Sequence, residues 1–176
     1  MQIRRLAPGD EELFRVIRLR ALADAPWAFD STLVVEREYE PGFWAQRLRE
    51  STGAVFAAVQ AGEALAMAGG HLPDPARAII WGVWTAPEVR GKGLSRRLVH
   101  EVMAWAGDQQ VATIELSVSN TPPAEPAARL YEALGFTDTG RSEPLNSNLD
   151  LEARLLELNP ARSEAGRPAW PAEDRG

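Results

Sequence analysis

The stretch RGKGLS, Arg90 to Ser95, sets two glycines among basic residues and runs directly into RRLVHEVMAWA, Arg96 to Ala106. Leu94, Leu98, Val102 and Trp105 recur at helical spacing, with Arg96, Arg97 and Glu101 off that stripe, which predicts an amphipathic helix from about Leu94. Ahead of the turn, RAIIWGVWTAP (77–87) reads as a strand. A strand, a glycine turn and a helix start together make a place for an anion. Unpaired backbone N–H groups converge at the helix N-terminus, where the helix dipole acts as about half a positive charge, and glycine lets the main chain come close to the anion's oxygens.

Arg90, Lys92, Arg96 and Arg97 crowd positive charge around this one turn of a chain whose formal net charge is -6. A surface of that sign repels phosphate backbones and anionic membranes as a whole, so any anion site has to be local. Two common phosphate loops do not fit. A Walker A loop needs Ser or Thr directly after its Lys and Gly six places before it, whereas Gly93 follows Lys92 and Ala86 holds the earlier place. A dinucleotide fingerprint needs a third glycine where Arg96 stands.

The 176 residues fit one domain, and the 45% apolar and 25% charged composition is that of an ordinary globular protein. There is no cysteine, which removes disulfides, thiolate metal sites and a cysteine nucleophile together; with only His71 and His100 as imidazoles, no metal centre is expected. MQIRRLAPGDEE lacks the apolar core of a signal peptide, and no apolar run approaches the roughly 20 residues of a membrane span. The expectation is a cytoplasmic protein that binds neither membrane nor nucleic acid.

The remaining chain alternates strand and helix patterns. MQIRRLA predicts a strand, and PGDEELFRVIRLRALADA a helix capped by Asp10 with Leu13, Phe14, Ile17 and Ala21 inward. PGFWAQRLRE predicts a second helix, with Trp44 and Leu48 one turn apart. GAVFAAVQ, ALAMAGGHL and RAIIWGVWTAP follow as three strands joined by short polar turns, hence antiparallel. VATIELSVS alternates as a strand, PAARLYEALGF predicts a helix with Pro126 in its first turn and Gly135 just past its end, and LDLEARLLEL closes the domain as a strand. Residues 1–158 thus form the domain; 159–176, rich in Pro, Gly, Arg and Glu without periodicity, predict a disordered tail.

VWTAPEVRGKGLSRRLV, followed some thirty residues on by PAARLYEALGF, resembles the GNAT superfamily of acyl-CoA-dependent N-acetyltransferases. The family's phosphate motif, Gln or Arg, two residues, Gly, one residue, Gly or Ala, is met by Arg90 and Gly93, with Ser95 at the last position; A-x-x-L-Y-x-x-x-G-F is met by Ala127, Leu130, Tyr131, Gly135 and Phe136. The resemblance covers about residues 2–158. It implies an α/β (α+β) fold with a central, mostly antiparallel mixed sheet of about seven strands, splayed between the fourth and fifth, and about four flanking helices. Ala124 stands where many members carry an Asn that supports the cofactor, and Asn120, in the longer segment NTPPAEP, is a candidate substitute.

The resemblance also implies the chemistry. Acetyl-CoA would be the co-substrate, its pyrophosphate held by Arg90, Gly91, Lys92, Gly93, Leu94, Ser95 and Arg96 and its thioester by backbone N–H groups around Val83, Trp84 and Thr85. Tyr131 is the candidate general acid, because a phenol with a pKa near 10 stays protonated at neutral pH and can protonate a thiolate. Some relatives use a Glu on the fifth strand as base; that position is Ser117 here, and Glu115, two residues earlier and on the same face, is the candidate instead. His71 is a weaker one, and His100 is expected to be exposed. Trp27 and Phe29 are candidates for the acceptor site, together with Asp30, Glu36, Glu38 and Glu40, since apolar walls and carboxylates suit a cation. The implied acceptor is a primary amine of a small molecule or peptide, and a homodimer is a possible assembly. A non-catalytic acyl-CoA-binding or sensing module is the alternative that the altered motif positions leave open.

Overall fold

The computed structural model describes residues 1–160; the tail expected at 159–176 falls, from 161 on, outside the described residues. Seven strands form one sheet in the order β1-β2-β3-β4-β5-β7-β6, with β1 at Gln2–Arg5, β2 at Gly53–Gln60, β3 at Glu63–Asp74, β4 at Arg77–Thr85, β5 at Thr113–Ser119, β6 at Thr137–Leu145 and β7 at Asn148–Leu158. Every neighbouring pair is antiparallel except β4 and β5. The helices are α1 (Glu11–Asp24), the single turn α2 (Leu33–Glu36), α3 (Pro41–Arg49), α4 (Leu94–Asp108) and α5 (Glu125–Ala133). Among the described residues no helix is long and apolar enough to cross a membrane.

The adjacent glycines of AGGHL show how the layers assemble. Successive strand residues face opposite sides of a sheet, and a Cβ on Gly69 would lie 2.3 Å from the Trp81 ring while one on Gly70 would lie 2.7 Å from Trp105 and Val102. On the Gly69 side, Trp81 meets Phe14 of α1, which packs edge-on against Trp44 of α3. On the Gly70 side, α4 lies on β2, β3 and β4, burying Leu94, Leu98, Val99, Val102, Trp105 and Ala106. One pair of missing side chains therefore lets large rings press on both faces of the same strand.

Several local expectations are corrected. Asp10 holds the N-cap position of α1 without a side-chain cap bond. Its carboxylate instead accepts both Arg4 guanidinium nitrogens at 2.7 Å and the Ala7 N–H at 2.9 Å, and the Arg4 bond, chiefly, holds its pKa below the usual carboxylate range. His100 is half-buried rather than exposed. β6 has no signature in the residue pattern: it is almost wholly exposed and pairs only with β7, so no alternation marks it.

Candidate functional site

The site begins where two parallel strands part. β4 and β5 are paired from Arg77–Thr113 to Ile80–Leu116 and no further, although β4 runs on to Thr85 and β5 to Ser119. At the same level β4 bulges: Met67 faces Trp84 and Gly69 faces Trp81, so two steps on β3 are matched by three on β4. Gly82 carries the bulge at φ +65° and packs so closely that a Cβ there would come within 3.2 Å of the Met67 methyl. A bulge frees ladder groups and bends its strand, here at Gly82 and Val83, both of which line the gap.

That gap is a cleft of about 480 Å³. Its lining includes Val83, Trp84 and Thr85 of β4, then Arg90, Gly91, Gly93, Leu94, Ser95 and Arg96, and across from them Ser117 and Ser119 of β5 and Ala124, Leu130 and Tyr131. One end is walled by Trp27, Phe29 and Trp81. Of the expected cofactor residues, the general acid, the β5 carboxylate and the two aromatic acceptor candidates, the lining takes in all but two. Lys92 is exposed and outside the lining; Glu115, half-buried, is also outside it, its carboxylate 3.3 Å from the Arg77 guanidinium. Glu115 sits beside Ile79 in the paired part of the two strands, below the point where the cleft opens.

The glycine turn has the form that an anion cradle requires. Gly91 and Gly93 lie at φ +77° and +73°, a region that side chains disfavour, and the space a Cβ would occupy at each is open. Gly93 is the N-cap of α4, and no side chain caps that helix, so its first N–H groups face outward. Arg90 is already committed to the fold: its Nε donates to the Thr85 carbonyl at 3.0 Å and its Nη2 to Asp24, which also accepts from the Trp84 indole N–H at 2.9 Å. Ser95 and Thr85 share a hydroxyl–hydroxyl bond of 2.8 Å. Among the described residues, Arg96 makes no ion pair, whereas Arg90, the other basic residue of the lining, pairs with Asp24.

Tyr131 is buried on α5, edge-on to Phe136, and its hydroxyl makes no hydrogen bond among the described residues. Burial pushes its pKa above the ordinary phenol value, so it stays protonated throughout the neutral range. Asn120 does not reach the cleft; it lines a separate depression with Asp150 and Glu152, leaving buried Ala124 at the Asn position of the motif.

The acidic residues expected at the acceptor end are drawn elsewhere. Glu36 is buried and accepts from Arg18 Nε at 2.9 Å and Nη2 at 2.6 Å. Glu38 takes Arg37, and Asp30 accepts the backbone N–H and side-chain amide of Asn146 at 2.6 and 2.7 Å. That last contact, with the Ser147 hydroxyl donating to the Phe29 carbonyl, ties the loop carrying Trp27 and Phe29 to the β6–β7 turn. Sequence reasoning missed Trp81 as a wall and Arg18 and Glu36 as its support, since nothing in the local pattern joins residues 18, 36 and 81.

The model of the acetyltransferase (GNAT) family matches residues 18–136. A mycothiol acetyltransferase of Acidothermus cellulolyticus is 32% identical over 153 residues; the match takes in 80% of this chain and 46% of that protein, so the chain spans about half the length of this relative. Among solved structures, an acetyltransferase of Salmonella typhimurium with its cofactor acetyl-CoA superposes with a TM-score of 0.72 at 18% identity, covering 99% of both chains. A spermidine N-acetyltransferase of Vibrio cholerae, in complex with CoA and spermine, gives 0.70 at 16% identity over 91% of this chain and 95% of that one. At such identities these likenesses speak for the fold: the seven-stranded sheet with one parallel, splaying pair.

Proposed function

The chain belongs to the acetyltransferase (GNAT) family, and from that premise we propose that it transfers the acetyl group of acetyl-CoA to a primary amine by direct attack. The observation that carries the proposal is the cleft itself, which runs from an uncapped helix start with two left-handed glycines, past a bulged strand end, to a buried tyrosine. The cradle fits a pyrophosphate: open space fronts Gly91 and Gly93, and Arg96 adds charge there. Acetyl-CoA, when bound, supplies an activated acyl group on a thiol of low basicity.

The chain's residues then divide the work. N–H groups at the bulge of Gly82 and Val83 and along Trp84–Thr85 would orient the thioester carbonyl and receive the charge that grows on its oxygen. The amine nitrogen forms a bond to the carbonyl carbon as the carbon–sulfur bond breaks. The Tyr131 hydroxyl gives its proton to the leaving sulfur and regains one from the new amide nitrogen, so the products are the N-acetyl amine and CoA thiol. Trp27 and Phe29 would hold the body of the acceptor.

Thermal unfolding with and without acetyl-CoA tests the cofactor, because a ligand that binds only the folded chain raises the midpoint. CoA thiol release with a panel of amines then tests the transfer. A raised midpoint with no release from any amine would replace the enzyme by an acyl-CoA-binding module.

A further inference from the structure

On the reading that this cleft moves an acetyl group to nitrogen, the acceptor must lose its extra proton before attack, and the lining says where that can happen. Among the described residues, the ionisable groups of the lining are Arg90, Arg96 and Tyr131. The two arginines remain cations, and burial keeps the tyrosine a neutral phenol. Four carboxylates around the cleft are engaged: Asp24 by Arg90 and Trp84, Asp30 by Asn146, Glu36 by Arg18, and Glu115 by Arg77.

Phe29 and Trp81 of the aromatic wall, and Trp84 beside them, already face a cation. The Arg18 guanidinium carbon lies 4.9 Å from the centre of the Phe29 ring and 5.8 Å from that of Trp81, and Arg20 lies 5.5 Å from Trp84. A cation on one side of a ring draws on the same quadrupole that a second cation would need on the other. These faces remain good apolar surface and poor cation sites.

We propose that the acceptor is a weakly basic amine on an apolar or aromatic body, an α-amino group or an arylamine, that enters the cleft as the neutral base. A lysine side chain or a polyamine, with a pKa near 10.4, is excluded in favour of amines with a pKa of about 8 or below. The step balances without a protein base. The neutral nitrogen attacks, the carbon–sulfur bond breaks, and the one proton the nitrogen sheds replaces the one Tyr131 has given to sulfur.

The test uses the purified full chain, acetyl-CoA, and four amines: phenylalaninamide, aniline, phenethylamine and spermidine. The first three share a ring and differ in basicity. Below saturation at pH 7, phenylalaninamide should release CoA about two hundredfold faster than phenethylamine, the ratio of neutral fractions for pKa values of about 8 and 10.4. The phenethylamine rate should climb about tenfold per pH unit toward pH 9. Turnover of aniline rather than phenylalaninamide would assign the arylamine source. Comparable rates for phenethylamine or spermidine at pH 7, with a flat pH profile, would overturn the inference and leave acetyl transfer standing; no release from any amine would overturn the transfer itself.

Calorimetry adds a readout independent of turnover. Phenethylamine binding to the CoA-loaded chain at pH 7, measured in buffers of different ionisation heat, should release about one proton. Binding without proton release means that the ammonium is accepted, and overturns the inference.

Discussion

The two ends of the cleft are built on opposite plans. The end at Arg90–Arg96 is made of consecutive residues whose backbone does the holding, with Gly91 and Gly93 in left-handed conformations and a helix start left uncapped. The end at Trp27, Phe29 and Trp81 is made of side chains from distant segments, held by the buried Arg18–Glu36 pair behind and by the Asp30–Asn146 and Phe29–Ser147 bonds at the rim. A backbone site depends on conformation and is insensitive to most side-chain changes. A site of assembled side chains depends on its supports, so the two ends should fail in different ways.

The support should fail first and furthest. Removing one partner of a buried ion pair strands the other, at a cost of about 3–5 kcal/mol, so Glu36→Ala should lower the urea midpoint steeply. Replacing both partners, Arg18→Met with Glu36→Leu, should recover most of that loss, because apolar groups of similar size need no partner. A double variant as unstable as the single one would show that the pair is not the support.

Tyr131→Phe should leave acetyl-CoA binding nearly intact and lower turnover about a hundredfold, the smaller end of general-acid effects. Phe keeps the packing against Phe136. Unchanged turnover at saturating substrate would reduce Tyr131 to a packing residue. Gly93→Ala tests the backbone plan, since a side chain at φ +73° costs about 1–2 kcal/mol. Acetyl-CoA affinity should fall about tenfold, with no change in selectivity among acceptors.

This contrast also explains what could be read from the chain. The cradle was legible because its parts are contiguous and each has a local reason: a strand pattern, glycines at a turn, a helix stripe from Leu94. The parting of β4 and β5 came through the family resemblance, and its position at Ile80–Leu116 needed the register. The acceptor end was legible only in Trp27 and Phe29. Its acidic residues looked available in sequence because a carboxylate's partner, such as Arg18 for Glu36 or Asn146 for Asp30, lies far along the chain. Glu115 lies outside the cleft lining for a related reason: alternation gives the face of a strand and not the level at which the cleft opens. β6 escaped because an exposed edge strand has no apolar face to alternate.

The pH response should be modest and fall outside both ends of the cleft. Burial, aided by Arg47 for His71 and by Arg96 for His100, holds both imidazoles below their ordinary value. A histidine kept neutral in the folded state binds fewer protons there than when unfolded, so stability falls as pH drops through about 6.5 and below. The urea midpoint should decline from pH 7 to pH 5, and His71→Gln should flatten part of that decline.

The smallest effect expected is at Ser95, where the two plans meet. Its hydroxyl does not stand free for a phosphate; it is bonded to Thr85, whose carbonyl in turn accepts from Arg90. The residue therefore belongs to the hinge between the end of β4 and the start of α4. Ser95→Ala removes one bond from a buried threonine, worth about 1 kcal/mol, and should shift the urea midpoint slightly while changing the acetyl-CoA dissociation constant by less than about threefold. Ser95→Gly should cost somewhat more stability, because glycine adds a helix-propensity penalty of up to about 1 kcal/mol, again with little effect on binding. A tenfold loss of affinity in Ser95→Ala with the midpoint unmoved would mean the opposite, that the hydroxyl leaves Thr85 for a phosphate oxygen. The cradle would then rest on a side chain as well as on its backbone, and the contrast between the two ends would narrow.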